Sequence, residues 1–191
     1  MSDYYQLHFE AYHDRTFSVD PSTFLNGLAT HLQIGSTLID VGCGSGRDIL
    51  WLKKHGYSVI GLERSSGLAQ LAREHTACRI IEADFETFNF TDLSADAVLL
   101  IGALVHLRHS RLPDVLESIC LAVKKPGYLL ITMKQGKGTV TDPDGRRFYL
   151  WQDKDLRRVF QSLNLSVIEF FIQPSKIDPA DTWLGYLLKK S

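Results

Sequence analysis

Residues 37–48 read TLIDVGCGSGRD: an apolar run carrying Asp40, a turn with glycine at every second position, and then the first residues of a helical pattern. Few local structures suit that order. Gly42, Gly44 and Gly46 permit positive φ and close backbone approach, and the helix that follows points unpaired N–H groups at whatever lies in the crook. The segment is expected to be a nucleotide-binding turn at the carboxyl end of a first strand.

Along the rest of the chain, apolar runs of strand length alternate with amphipathic windows of helix length, so the fold class is α/β. Strands are expected over residues 37–41, 57–62, 79–83, 95–101 and 128–133. These runs are apolar almost throughout, as strands covered on both faces of a parallel sheet must be. Between them Leu68, Leu71 and Ala72 mark one helix stripe, and Leu112, Val115, Leu116 and Ile119 mark another. Pro126 and Gly127 are expected to close that second helix. The block Ile49 to Leu52 indicates a deeply packed helix after the glycine turn. Residues 134–147 are polar, contain the tight-turn sequence Asp142-Pro143-Asp144-Gly145, and are expected to be a loop or flap. A last helix begins near Asp153, carrying Leu156, Val159, Phe160 and Leu163. Two final runs, 165–172 and 183–188, are expected to pair as an antiparallel hairpin at a sheet edge.

A chain of 191 residues without repeat, low-complexity tract or linker is expected to be one domain over 1–191, with a helical N-terminal segment (1–34) before a Rossmann-like core (36–191). Its apolar and charged shares, 45% and 23%, are ordinary, and no apolar run is long enough to cross a bilayer, so no membrane partner is expected. A formal net charge of −1 gives no global attraction to nucleic acid. The start, MSDYYQLHFEAYHDR, lacks the basic and apolar regions of a signal peptide, and the cysteines at 43, 78 and 120 are odd in number and widely spaced. A cytoplasmic, reduced protein is expected.

Competing readings of the turn can be weighed by residue. A P-loop ends in Gly-Lys-Ser/Thr, whereas here Gly46 is followed by Arg47 and Asp48. The dinucleotide pattern G-x-G-x-x-G is matched imperfectly, with Arg47 in the third glycine's place. Glu63 ends VIGLE about twenty residues on, the position of a ribose-binding acid in both dinucleotide and nucleoside sites. Asp84 and Phe85 follow the third apolar run, where a carboxylate and a ring suit an adenine. Taken in order, LIDVGCGSGRD, VIGLE, IEADF, DAVLLIGALVHL and the late PGYLLITM resemble the class I S-adenosylmethionine-dependent methyltransferases.

That resemblance implies a doubly wound, seven-stranded, mostly parallel sheet with helices on both faces and the last strand antiparallel. It implies S-adenosylmethionine as cofactor and S-adenosylhomocysteine as product. Asp40 would face the methionine ammonium, with Gly42, Cys43, Gly44 and Gly46 passing beside it. Glu63 would hold the ribose, Arg64, Asp84 and Phe85 would border the adenine, and Gly102 to Leu104 would border the methionine side. The aromatic-rich segment before the first strand would close as a lid, presenting Tyr12 among other rings and Arg15 to the methionine carboxylate. His106, just past the fourth strand, is the candidate general base. Cys43, with no evident base beside it, reads as a packing residue. Arg146 and Arg147 on the flap suit an anionic acceptor or simply solubilise the loop.

The Asn/Asp-Pro-Pro-Tyr/Phe signature of DNA amino-methylases is missing, since the chain reads IGALVH there, and no basic run interleaved with aromatics would track a nucleic-acid strand. A small-molecule methyl acceptor is expected, and no nucleic acid. Two other readings stand beside this one: a protein that binds S-adenosylmethionine or S-adenosylhomocysteine without transferring methyl, and an NAD-linked oxidoreductase.

Overall fold

The computed structural model describes residues 4–191. Three short helices, α1 (Tyr4–Leu7), α2 (Phe9–Thr16) and α3 (Ser22–Ala29), precede the sheet. Then follow β1 (Thr37–Val41), α4 (Arg47–Lys54), β2 (Ser58–Glu63), α5 (Ser66–Thr76), β3 (Arg79–Glu82) and β4 (Ala95–Ile101). After α6 (Leu112–Cys120) come β5 (Val123–Lys134), β6 (Thr139–Thr141), β7 (Arg147–Tyr149), α7 (Asp153–Ser162), β8 (Leu165–Pro174) and β9 (Thr182–Lys190).

Seven strands form one sheet in the order β3-β2-β1-β4-β5-β9-β8, with β9 antiparallel to both neighbours and the others running one way. Alternate residues of each central strand point to opposite faces, and both faces are covered. Leu38, Ala97, Leu99, Leu130 and Leu187 pack under α3, α4 and α5. Ile39, Val98, Leu100, Leu129 and Leu188 pack with Leu116 of α6 and Phe160 of α7 on the other side. Two covered faces are why the strands read as unbroken apolar runs. In α4 the apolar block divides, Ile49 and Leu52 facing the core while Leu50 and Trp51 stay half-buried.

One expectation changes and two are refined. Helix α6 ends at Cys120, and Pro126 and Gly127 lie within β5, where the ladder jumps from Ala95↔Val123 to Ala97↔Tyr128. That irregularity tolerates a residue with no N–H to donate. The hairpin β8–β9 forms, but the more apolar β9 inserts between β5 and β8, leaving β8 at the edge with Ile168, Phe170 and Ile172 partly exposed. Residues expected as a flap contain the antiparallel pair β6–β7 around the Asp142–Gly145 turn.

Because β1 pairs with β2 on one side and β4 on the other, the sheet's topological switch lies at its carboxyl end. Ligand crevices in open α/β sheets form there.

Candidate active site

The glycine turn is anchored on β2. The carbonyl oxygen of Leu62 accepts the N–H groups of Gly42 (2.7 Å) and Cys43 (3.1 Å), which folds the loop over the strand ends. Gly42 has φ +73°, and a Cβ there would lie 2.8 Å from the Cβ of Ala103, so the turn passes too near the segment after β4 to carry a side chain. Beneath it Asp40 is 2% exposed, and its Oδ2 has no hydrogen-bond partner among the described residues. Burial first, and then the Asp48 carboxylate, push the Asp40 acid well above its ordinary range.

A cavity of about 260 Å³ lies beside the turn. Gly42 and Gly44 bare their backbone to it, while Leu62, Leu68 and Phe85 supply apolar walls. Glu63 is buried, yet each carboxylate oxygen takes a backbone N–H: Oε2 from Gly44 at 3.0 Å and Oε1 from Ser65 at 2.8 Å. Burial raises the Glu63 acid above its ordinary range, and those amides offset that rise only in part. Each oxygen keeps a further lone pair for a guest. Arg64 also lines the cavity and pairs with Asp84 Oδ2 at 3.6 Å.

The N-terminal helices close this cavity through Tyr5, Gln6 and Tyr12. Ser65, the N-cap of α5, donates its hydroxyl to the Tyr5 carbonyl oxygen at 2.8 Å, and the Ser66 N–H donates to Gln6 Oε1 at 3.0 Å. His106 fastens the same helix from the opposite side. Its Nδ1 lies 2.6 Å from the carbonyl oxygen of Arg147, so Nδ1 carries the proton and Nε2 accepts the Tyr5 O–H at 2.7 Å. Burial lowers the His106 pKa to about 4, and the imidazole is neutral near pH 7.

A second cavity, of about 550 Å³, shares Tyr5, Tyr12, Ile101 and Gly102 with the first. It reaches outward between α2, the β6–β7 flap and the connection from β8 to β9. At the end of β5, Lys134 lines it and forms an ion pair with Asp181. On the flap, Arg146 pairs with Asp142 at 2.7 Å and stands 4.7 Å from the Tyr4 ring centroid.

Known proteins share this architecture. A magnesium protoporphyrin IX methyltransferase from Synechocystis, solved with S-adenosylhomocysteine, superposes with a TM-score of 0.78 over 99% of this chain and 97% of that one, at 15% identity. A 1,6-didemethyltoxoflavin-N1-methyltransferase from Burkholderia thailandensis gives 0.76 over 95% and 81%, at 17% identity. At such identity the likeness speaks to the fold. In sequence, ubiquinone biosynthesis O-methyltransferases of Coxiella burnetii are 30% identical over 95 residues, 49% of this chain and 41% of theirs, so the chain spans less than half the length of these curated relatives. Residues 38–127 match the family model described as a methyltransferase domain. That segment thus matches a methyltransferase domain, and the chain has the fold of the solved methyltransferases.

Within that matched segment Gly42, Gly44, Glu63, Arg64, Phe85 and Gly102 surround the first cavity, and Tyr12 reaches it from α2; His106, expected beside the acceptor, lines this first cavity and not the second. Other expected contacts lie elsewhere. Gly46 (φ +90°) faces α5, where a Cβ would meet Thr76 Cγ2 at 2.6 Å, so it is a packing glycine. Cys43 is buried with its sulfur against Gly61, and burial raises its thiol well above the ordinary range. Leu104 is fully buried in the core, and Ala103 takes its place at the cavity. Asp84 holds Arg64 and caps its own turn by accepting the Glu86 N–H at 3.0 Å. Arg15 faces the second cavity, with its Nη2 3.4 Å from the Tyr4 hydroxyl and its Nη1 3.9 Å from Asp144. Ser65 was missed, although a serine three residues before Leu68 is a readable N-cap signal.

Proposed function

We propose that the protein is an S-adenosylmethionine-dependent methyltransferase acting on a small-molecule acceptor, with S-adenosylmethionine in the first cavity and the acceptor in the second. The observation that carries the reading is the junction at Gly102, where a slot suited to a nucleoside without phosphates opens into a larger mixed cavity. The slot suits this cofactor's chemistry. Glu63 offers two carboxylate oxygens to ribose hydroxyls, Phe85 and Leu68 offer apolar surface to a base, and Gly42 and Gly44 allow close approach. Asp40 Oδ2, buried under the same turn with no partner among the described residues, is an acceptor that an ammonium group would satisfy.

When bound, S-adenosylmethionine supplies an electrophilic methyl group on a sulfonium. The chain's own work is then to align, to exclude water and to place charge. Tyr5, Gln6 and Tyr12 act as a lid over the cofactor, fixed by Ser65 on one side and by His106 on the other. With Nδ1 bound to the Arg147 carbonyl, Nε2 bound to Tyr5 and a pKa of about 4, His106 serves chiefly to hold the lid rather than as the general base. Small-molecule acceptors are supported by the names of the relatives, which act in ubiquinone biosynthesis or on magnesium protoporphyrin IX and 1,6-didemethyltoxoflavin. Among the described residues no helix is long and apolar enough to cross a membrane.

The test is a transfer screen with methyl-labelled S-adenosylmethionine against pools of small hydroxy, amino and thiol compounds. Label is expected to pass to one chemical class and to stop when the lid contact is removed by Tyr5→Ala. Transfer to nucleic acid or protein, with none to small molecules, would overturn the acceptor assignment.

A further inference from the structure

The second cavity contains a charge that stability does not explain. Lys134 is 9% exposed, paired with Asp181, and its Nζ lies 3.8 Å from the centroid of the Phe148 ring and 6.0 Å from that of Trp183. Lysine is rarely buried to this degree, and such an ion pair gains little over an apolar pair of the same shape. An ammonium has three N–H donors, of which Asp181 takes one. Because Lys134 lines the cavity, donors remain for a guest.

The position is equally specific. Thr132 and Lys134 are two residues apart on β5 and so share a face. Thr132 Oγ1 accepts the N–H of Gly102 at 2.8 Å, and Gly102 is the boundary with the first cavity. A Cβ on Gly102 would stand 3.5 Å from Trp183. Lys134 therefore follows, on the same face of β5, the residue that holds the junction, and Trp183 stands near both.

The other cations lining the cavity are each paired: Arg146 with Asp142, Lys176 with Asp20, Arg15 with Asp144, and Arg47 with Asp48. Asp178 turns one oxygen to the Ala180 N–H. A polyanionic guest would meet Asp181, Asp178 and Asp142, while a wholly apolar guest would strip water from Lys134 and give nothing back. One oxyanion on an aromatic ring meets neither penalty.

We infer that the second cavity takes a hydroxyarene, a planar ring bearing an acidic hydroxyl, whose ionised oxygen is received by Lys134 while Trp183 covers the ring and Phe148 backs the ammonium. This rests on the reading of that cavity as the acceptor site. Ionisation breaks the O–H bond, leaves the electron pair on oxygen and passes the proton to solvent. No side-chain base is required, in keeping with a His106 whose Nε2 is already engaged by Tyr5. Asp181 is the positioning residue that holds the ammonium in place.

The experiment uses 4-nitrophenol, which absorbs visible light strongly only as phenolate, titrated against pH on protein saturated with S-adenosylhomocysteine. In the wild type its apparent pKa is expected to fall by about one unit or more, a tenfold or greater bias toward phenolate. Lys134→Met should abolish the shift, Lys134→Arg should retain part of it, and Asp181→Asn, which removes the opposing carboxylate, should deepen it. Retained binding of S-adenosylhomocysteine in all three variants shows that they are folded. Equal shifts in wild type and Lys134→Met, binding of the neutral phenol, or no uptake at millimolar probe would overturn the inference while leaving the methyl-transfer reading standing. Failure of S-adenosylhomocysteine itself to bind would overturn that reading, and this inference with it.

Discussion

Replacing Asp40 by asparagine is expected to make the unliganded protein more stable and its cofactor binding weaker, two effects of opposite sign from one atom. In the folded chain Oδ2 is buried with no partner among the described residues, and the negative charges of Asp48 and Glu63 lie nearby, opposed in part by Arg47. An unsatisfied buried group costs about 1–3 kcal/mol, and more when charged. Removing the charge should therefore raise the melting temperature by about 2–10 °C for a chain of this size. The sign depends on pH. Since the folded-state pKa is raised above the unfolded one, the penalty is absent at about pH 4 and below, where both states hold the proton, and grows as pH rises. The gain should accordingly be seen at pH 7 and shrink toward zero in acid. Binding should move the other way, because an ammonium that meets a carboxylate gains about 1.5–3 kcal/mol, so the dissociation constant for S-adenosylhomocysteine should rise about tenfold to a hundredfold. Calorimetric unfolding at two pH values, with titration of the same samples, reads both. A destabilised Asp40→Asn protein that binds S-adenosylhomocysteine normally would refute the reasoning.

Further outcomes follow from neighbouring positions. Gly46→Ala puts a Cβ 2.6 Å from Thr76 at φ +90°, whereas at Gly44 the nearest atom, Tyr12 Cε1, is 3.7 Å away. Thermal melts should show Gly46→Ala destabilised by about 2 kcal/mol or more and Gly44→Ala by about 1 kcal/mol, with only the latter losing binding beyond its stability loss. His106 has its pKa depressed to about 4, so it stabilises the fold above its unfolded value near 6.5 and that contribution is lost between there and pH 4. Wild-type stability should fall by up to about 3 kcal/mol more than that of His106→Gln across this window, and a parallel decline in both proteins would show that the imidazole is not held neutral. Ser65→Ala removes both an N-cap and the tie to Tyr5, and is expected to cost about 1 kcal/mol and to speed S-adenosylhomocysteine dissociation in stopped flow.

What the sequence made legible was local. The edges of β1 and β4 lie where the apolar runs begin and end, because those strands are buried on both faces. The contact between Gly44 and Glu63 follows from their spacing, since a turn after β1 must meet the end of the neighbouring strand. Distant pairings left no periodic trace. Tyr5 and His106 are 101 residues apart, and Lys134 and Asp181 are 47 apart, so nothing in either segment signals its partner. The strands β6 and β7, three residues each, are too short for a period to emerge. The start of β5 was hidden by Pro126 and Gly127, which read as a helix end and in fact lie at an irregularity in the ladder. The insertion of β9 inside β8 follows from which hairpin arm is the more apolar, a comparison that local pattern does not make.

The central claim is that the first cavity is a site for a nucleoside without phosphates, and calorimetric titration of the wild type and Glu63→Ala with S-adenosylhomocysteine and with NAD addresses it directly. S-adenosylhomocysteine is expected to bind the wild type, to lose most of its affinity in Glu63→Ala, and to have no counterpart in NAD. Tight binding of NAD, with none of S-adenosylhomocysteine at millimolar concentration, would contradict the account.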